Sequence, residues 1–220
     1  GGSTTIDSTS SLTLDGAVDH DYNARAIVNH GVVNWTSGRL RSGDGGSFTN
    51  HATFNDNVTV ATDLNGDFGN HVTSFTNAFG ATYNKTGNTL TRFHGLPLYN
   101  NGTLIVQAGT LQTNAGGANA ATGVFNTFAG ALTLFTSDYT ISSGSALKGA
   151  GTDVLIAGCC TGSGTIVASN FNRTGGTLRG AERGVWARSG VAASNATAGI
   201  IHCAFIVSPR GLRAPRCWHG

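Results

Sequence analysis

An asparagine that recurs just ahead of a short strand constrains this chain more than any other feature. It stands in Val28-Asn29-His30-Gly31-Val32-Val33-Asn34, Thr49-Asn50-His51-Ala52-Thr53-Phe54-Asn55, Thr76-Asn77-Ala78-Phe79-Gly80-Ala81-Thr82, Tyr99-Asn100-Asn101-Gly102-Thr103-Leu104 and Phe125-Asn126-Thr127-Phe128. From Asn29 the anchors lie 21, 27, 23 and 26 residues apart. A strand broken by a turn every few residues suits a sandwich, a propeller or a solenoid; a persistent period of this length selects the solenoid, being about one three-sided turn of a parallel β-helix.

Composition agrees. Only 11% of the residues are Asp, Glu, Lys or Arg, and 33 are Gly; an ordinary globular domain carries about 25% charge. Thr and Val fit a pleated surface, while Gly and Asn accept the backbone angles of corners. With one Glu, two Lys and no sustained helical periodicity, helices are not expected. The fold expected is all-β: a right-handed parallel β-helix (β-solenoid) of about eight coils, roughly 40 Å long at one strand spacing per coil. Residues 1–180 form the solenoid domain, and 181–220, richer in Arg, Pro and Trp, a C-terminal cap or irregular tail.

The anchors have a physical role in such a stack. A carboxamide at one corner of successive coils donates and accepts along the axis, its backbone in a left-handed turn, so Asn29, Asn50, Asn77 and Asn100 are expected to form a structural ladder. Leu12-Thr13-Leu14, Val58-Thr59-Val60 and Leu132-Thr133-Leu134 each read as a strand with the aliphatics inward and Thr outward.

Val33-Asn34-Trp35-Thr36-Ser37-Gly38-Arg39-Leu40, Asn100-Asn101-Gly102-Thr103-Leu104 and the run from Gly123-Val124-Phe125-Asn126 to Gly149-Ala150-Gly151-Thr152-Asp153-Val154 together carry a resemblance. They look like the repeats of bacterial secreted and cell-surface proteins of the haemagglutinin-like and autotransporter-passenger parallel β-helix type. That resemblance implies adhesion, biofilm matrix or surface display, and it carries over no catalytic residue, since it consists of turns and core strands.

Other groups point to chemistry less directly. His30 and His51, each following an anchor Asn, would stack within reach of one metal ion; exposed turn histidines are the competing account. Asp56, Asp63 and Asp67 lie within twelve residues, the kind of cluster that binds Ca²⁺ in polysaccharide lyases of this scaffold; solvated loop aspartates compete, and Arg39 and Arg92 show no pattern beside them. These five, His30, His51, Asp56, Asp63 and Asp67, are the candidate metal ligands, with Ca²⁺ the one cofactor considered. In an oxidising compartment Cys159 and Cys160 would bridge separately to Cys203 and Cys217; four free thiols are the competing account.

The function expected is a non-catalytic structural or adhesive module, secreted or at the cell surface, that contacts glycans, surfaces or copies of itself through its faces or its open ends. A polysaccharide lyase or hydrolase and a self-assembling filament subunit are the alternatives. A net charge of +2 is too small and dispersed for a nucleic-acid partner, and no apolar run approaches the length of a membrane span.

Overall fold

The computed structural model describes residues 1–179 and shows a β-solenoid of about eight coils, with no helix and every strand pair parallel. The segment expected to be a cap or irregular tail, with Cys203 and Cys217, lies outside the described residues. Each coil runs along three sides, and each of the first six places one strand on every side. The coils are numbered 1 (2–21), 2 (25–43), 3 (46–68), 4 (73–94), 5 (98–113), 6 (117–135), 7 (139–155) and 8 (159–173). Side one is a sheet of nine strands, from Gly2–Ile6 to Thr177–Arg179. Sides two and three join into one sheet of 14 strands, because in coil 7 a continuous strand, Ala146–Leu155, runs round the corner that the earlier coils break.

Alternation along each short strand builds the core. In Thr103–Val106 and in Thr110–Thr113 every second residue is buried, which places Leu104, Val106 and Leu111 inside and Thr103 outside. Because the coils stack in register, like residues meet. Phe48 lies on Phe75 with ring centroids 5.1 Å apart, and Phe54 on Tyr83 at the same distance. Phe125, Phe135 and Tyr139 form a second aromatic group in coils 6 and 7. Leu98, Leu104, Val106 and Leu111 of coil 5 are an aliphatic layer between the two.

Tyr139 shows how one glycine shapes this packing. Its hydroxyl donates to the Leu98 carbonyl two coils away, at 3.1 Å, and the residue in register between them is Gly117. A Cβ at 117 would stand 2.0 Å from that carbonyl oxygen, on a backbone with φ of +133°, so only glycine lets the tyrosine pass.

Two of the three expected alternating strands differ in the structure. Leu12-Thr13-Leu14 has Thr13 exposed, as expected, but Val58-Thr59-Val60 lies in the connection after Thr53–Asp56, with only Val58 buried. Leu132-Thr133-Leu134 runs in the opposite phase: Thr133 is wholly buried and the leucines face outward. A polar cluster inside the corner, described below, accounts for that reversal.

Candidate functional surfaces

Each anchor asparagine is the last residue of its side-one strand, where the chain turns toward side two. The structure places Asn29, Asn50, Asn77 and Asn100 in one wholly buried column. Nδ2 of each donates to Oδ1 of the next, at 2.7 Å, 2.9 Å and 2.8 Å. The same amides donate to the carbonyls of Thr53, Thr82, Thr103 and Val124, the first side-two residues of the following coils. Each asparagine thereby ties the end of one strand to the start of another a coil away.

Asn119 is a fifth member, accepting from Asn100 at 2.8 Å and donating to the Ala146 carbonyl. The fifth anchor by spacing, Asn126, lies elsewhere: it sits mid-strand on the outside of side two. Ile6 and Ile141 occupy the register positions beyond the two ends, which closes the column with apolar side chains. The backbone expectation is corrected as well. None of these asparagines has positive φ; among non-glycine described residues only Ala24, Asp44 and His71 do.

The inward corner between sides two and three is built differently. Successive residues at the end of the side-two strand are Trp35, Asp56, Lys85, Val106 and Thr127, in register and all buried. Asp56 and Lys85 are both wholly buried, with Nζ 3.7 Å from Oδ2. Tyr83 donates its hydroxyl proton to Asp56 Oδ2 at 2.9 Å, and Lys85 Nζ donates to Thr91 Oγ1 and the Gly87 carbonyl, each at 3.0 Å. Burial pushes the Asp56 carboxyl up and the Lys85 ammonium down; their mutual attraction opposes both shifts but is the smaller effect.

Three coils beyond Lys85, Asp153 meets only hydroxyls. Thr127 donates to its Oδ1 at 2.8 Å, and Thr133 lies 2.8 Å from Thr127. Asp153 Oδ2 is buried with no hydrogen-bond partner among the described residues. Desolvation raises this carboxyl to about 6. Thr133 points inward to serve this group, which is why Leu132 and Leu134 face out.

Outside, side two presents two columns of half-exposed side chains. One is Val32, Thr53, Thr82, Thr103 and Val124; the other begins Asn34, Asn55 and Asn84, whose carboxamides are hydrogen-bonded coil to coil at 2.9 Å and 3.2 Å. Side three carries charge in coils 1 to 4. Arg39 and Arg41 make two-pronged contacts with Asp19 and Asp21, and Arg92 with Asp63 at 2.9 Å. The Arg39 hydrogen bond holds the Asp19 carboxyl below its ordinary range. In coils 5 to 7 the same outward column continues as Gln112, Leu134 and Val154.

The candidate metal ligands are therefore dispersed. His30 and His51 stack face to face at the exposed corner after their asparagines, 4.8 Å apart and 8° from parallel. Asp56 is inside against Lys85, Asp63 is held by Arg92, and Asp67 accepts from Asn65 Nδ2 at 2.8 Å. Among the described residues no three His, Cys, Asp or Glu side chains gather as a metal site would require. Cys159 is half-buried and Cys160 buried on opposite sides of one strand, and the bridges expected to Cys203 and Cys217 involve residues outside the described set.

Sequence reasoning missed the Asp–Arg and Asp–Lys pairs, although a signal was present. Asp19 and Asp21 precede Arg39 and Arg41 by 20 residues each, and Asp56 and Asp63 precede Lys85 and Arg92 by 29 each. Two pairs sharing one offset is the mark of residues on neighbouring coils. No family model matches the chain, and neither a curated protein nor a solved structure is significantly similar to it.

Proposed function

We propose that this chain is a structural and adhesive module of a secreted or surface-displayed protein, of the bacterial haemagglutinin-like or autotransporter-passenger kind, binding glycans through side two. The observation that supports this reading most is the pair of outward columns there, with Thr53, Thr82 and Thr103 beside Asn34, Asn55 and Asn84. Hydroxyls and carboxamides repeat at the strand spacing, about 4.8 Å, on a backbone that stacked coils hold rigid. A fixed row of donors and acceptors loses little side-chain freedom on binding, which favours a long polymer of repeating hydroxyls.

Binding of the full chain to immobilised polysaccharides tests the reading. Asn55→Asp with Thr82→Glu places like charge across the row and is expected to abolish retention, while Thr49→Glu with Thr76→Glu on side one leaves it intact. Retention that survives the side-two changes, or release of shortened sugar by the protein, would refute the proposal.

A further inference from the structure

We propose that Asp56 and Lys85 are the site of an internal amide cross-link, a covalent bond between Asp56 Cγ and Lys85 Nζ that joins coil 3 to coil 4. The inference does not depend on what the outer sides bind.

The geometry brings the reacting groups together and isolates them. Asp56 and Lys85 are register partners on adjacent strands, so their side chains leave the sheet on the same inward side. Nζ lies 3.7 Å from Oδ2, and both side chains are wholly buried. Trp35 covers the pair from coil 2 and Val106 from coil 5, as the register neighbours on either side. Water is thereby kept from a condensation whose other product is water.

Burial also favours the reactive protonation states. Desolvation raises the carboxyl and lowers the ammonium, so the enclosed pair shifts toward carboxylic acid and free amine. A buried ion pair recovers little of its desolvation cost, and an amide in the same place holds no charge to desolvate.

Neighbouring groups supply what the steps need. The lone pair of neutral Nζ adds to Asp56 Cγ, forming the C–N bond. Tyr83 O–H, donating to Oδ2 at 2.9 Å, stabilises the negative charge that grows on that oxygen and retains it as the amide carbonyl. Thr91 is wholly buried and accepts from Nζ at 3.0 Å. Its hydroxyl takes a proton from nitrogen and passes one to Oδ1. The bond from Cγ to Oδ1 then breaks and that oxygen leaves as water. One amine proton departs with it and one remains on the amide, so no oxidant, reductant or second substrate is consumed. In these steps Tyr83 and Thr91 act on the reacting atoms themselves.

The test is a mass measurement on the full chain, reduced, alkylated and denatured. The expected result is a mass one water below that calculated for the alkylated sequence, with digestion releasing a branched peptide that joins the Asp56 segment to the Lys85 segment. Asp56→Ala and Lys85→Gln are each expected at full sequence mass without the branched peptide, and Tyr83→Phe with the linked fraction reduced. A wild-type chain at full sequence mass overturns the proposal. So does a water loss that maps to one unbranched peptide, the signature of a cyclised aspartate. The wild-type measurement alone decides, whether or not the variants fold.

Discussion

Coils 3 and 4 are tied together by two acid–base pairs with the same offset of 29 residues, Asp56–Lys85 within the corner and Asp63–Arg92 outside it. The outer pair has the better geometry, two hydrogen bonds at 2.9 Å, and the inner pair the longer separation. Yet solvent screens the outer pair and leaves its partners content when separated, whereas neither member of the inner pair can be left alone in the core. Burial rather than contact distance therefore decides how much each matters.

Breaking the inner pair from one side is expected to have the largest effect. Lys85→Met leaves Asp56 buried without its partner and should destabilise the chain by about 3–5 kcal/mol, read from urea unfolding. Changing both residues, Asp56→Leu with Lys85→Met, should recover most of that loss, since matched apolar groups need no desolvation.

Asp153 sharpens the comparison, being a buried carboxyl with no cation. Its pKa of about 6 in the folded chain stands above the ordinary Asp value of about 3.9. Between these two values the folded chain holds a proton that the unfolded chain releases. Stability from this group is thus full at low pH, falls as pH rises from about 4 to about 6, and is level above; the drop is about 2–3 kcal/mol. Asp153→Asn keeps the shape of the neutral acid and is expected to remove the drop, gaining about 2 kcal/mol at neutral pH. Urea midpoints of both proteins at acid and neutral pH check the sign.

The smallest effect belongs to the outer pair. Arg92→Ala should cost under about 1 kcal/mol, and less with added salt. A larger loss would mean that side three depends on its charge ladder.

These contrasts also mark what the sequence exposes. One residue type at one position, coil after coil, is easy to see, and the asparagine column is of that kind. Asn119 escaped because it follows Asn100 by only 19 residues, while Asn126 offered a spacing closer to the period. The acid–base pairs escaped because corners vary in length. Asn50 is three residues before the next strand and Asn77 five, so the 27-residue step between the asparagines becomes 29 by Asp56 and Lys85. Pairing partners follow only when each corner is counted. Thr133 reversed phase for a related reason: aliphatic neighbours argue that Leu132 and Leu134 face inward, and the sequence gives no view of a carboxyl arriving from the next coil.

The central claim is that two pairs of equal spacing differ because one is buried. Double-mutant cycles on Asp56/Lys85 and Asp63/Arg92, measured side by side under one set of conditions, test it directly. A coupling of about 3 kcal/mol or more is expected for the inner pair and under about 1 kcal/mol for the outer. Equal couplings, or a stronger outer pair, would contradict it.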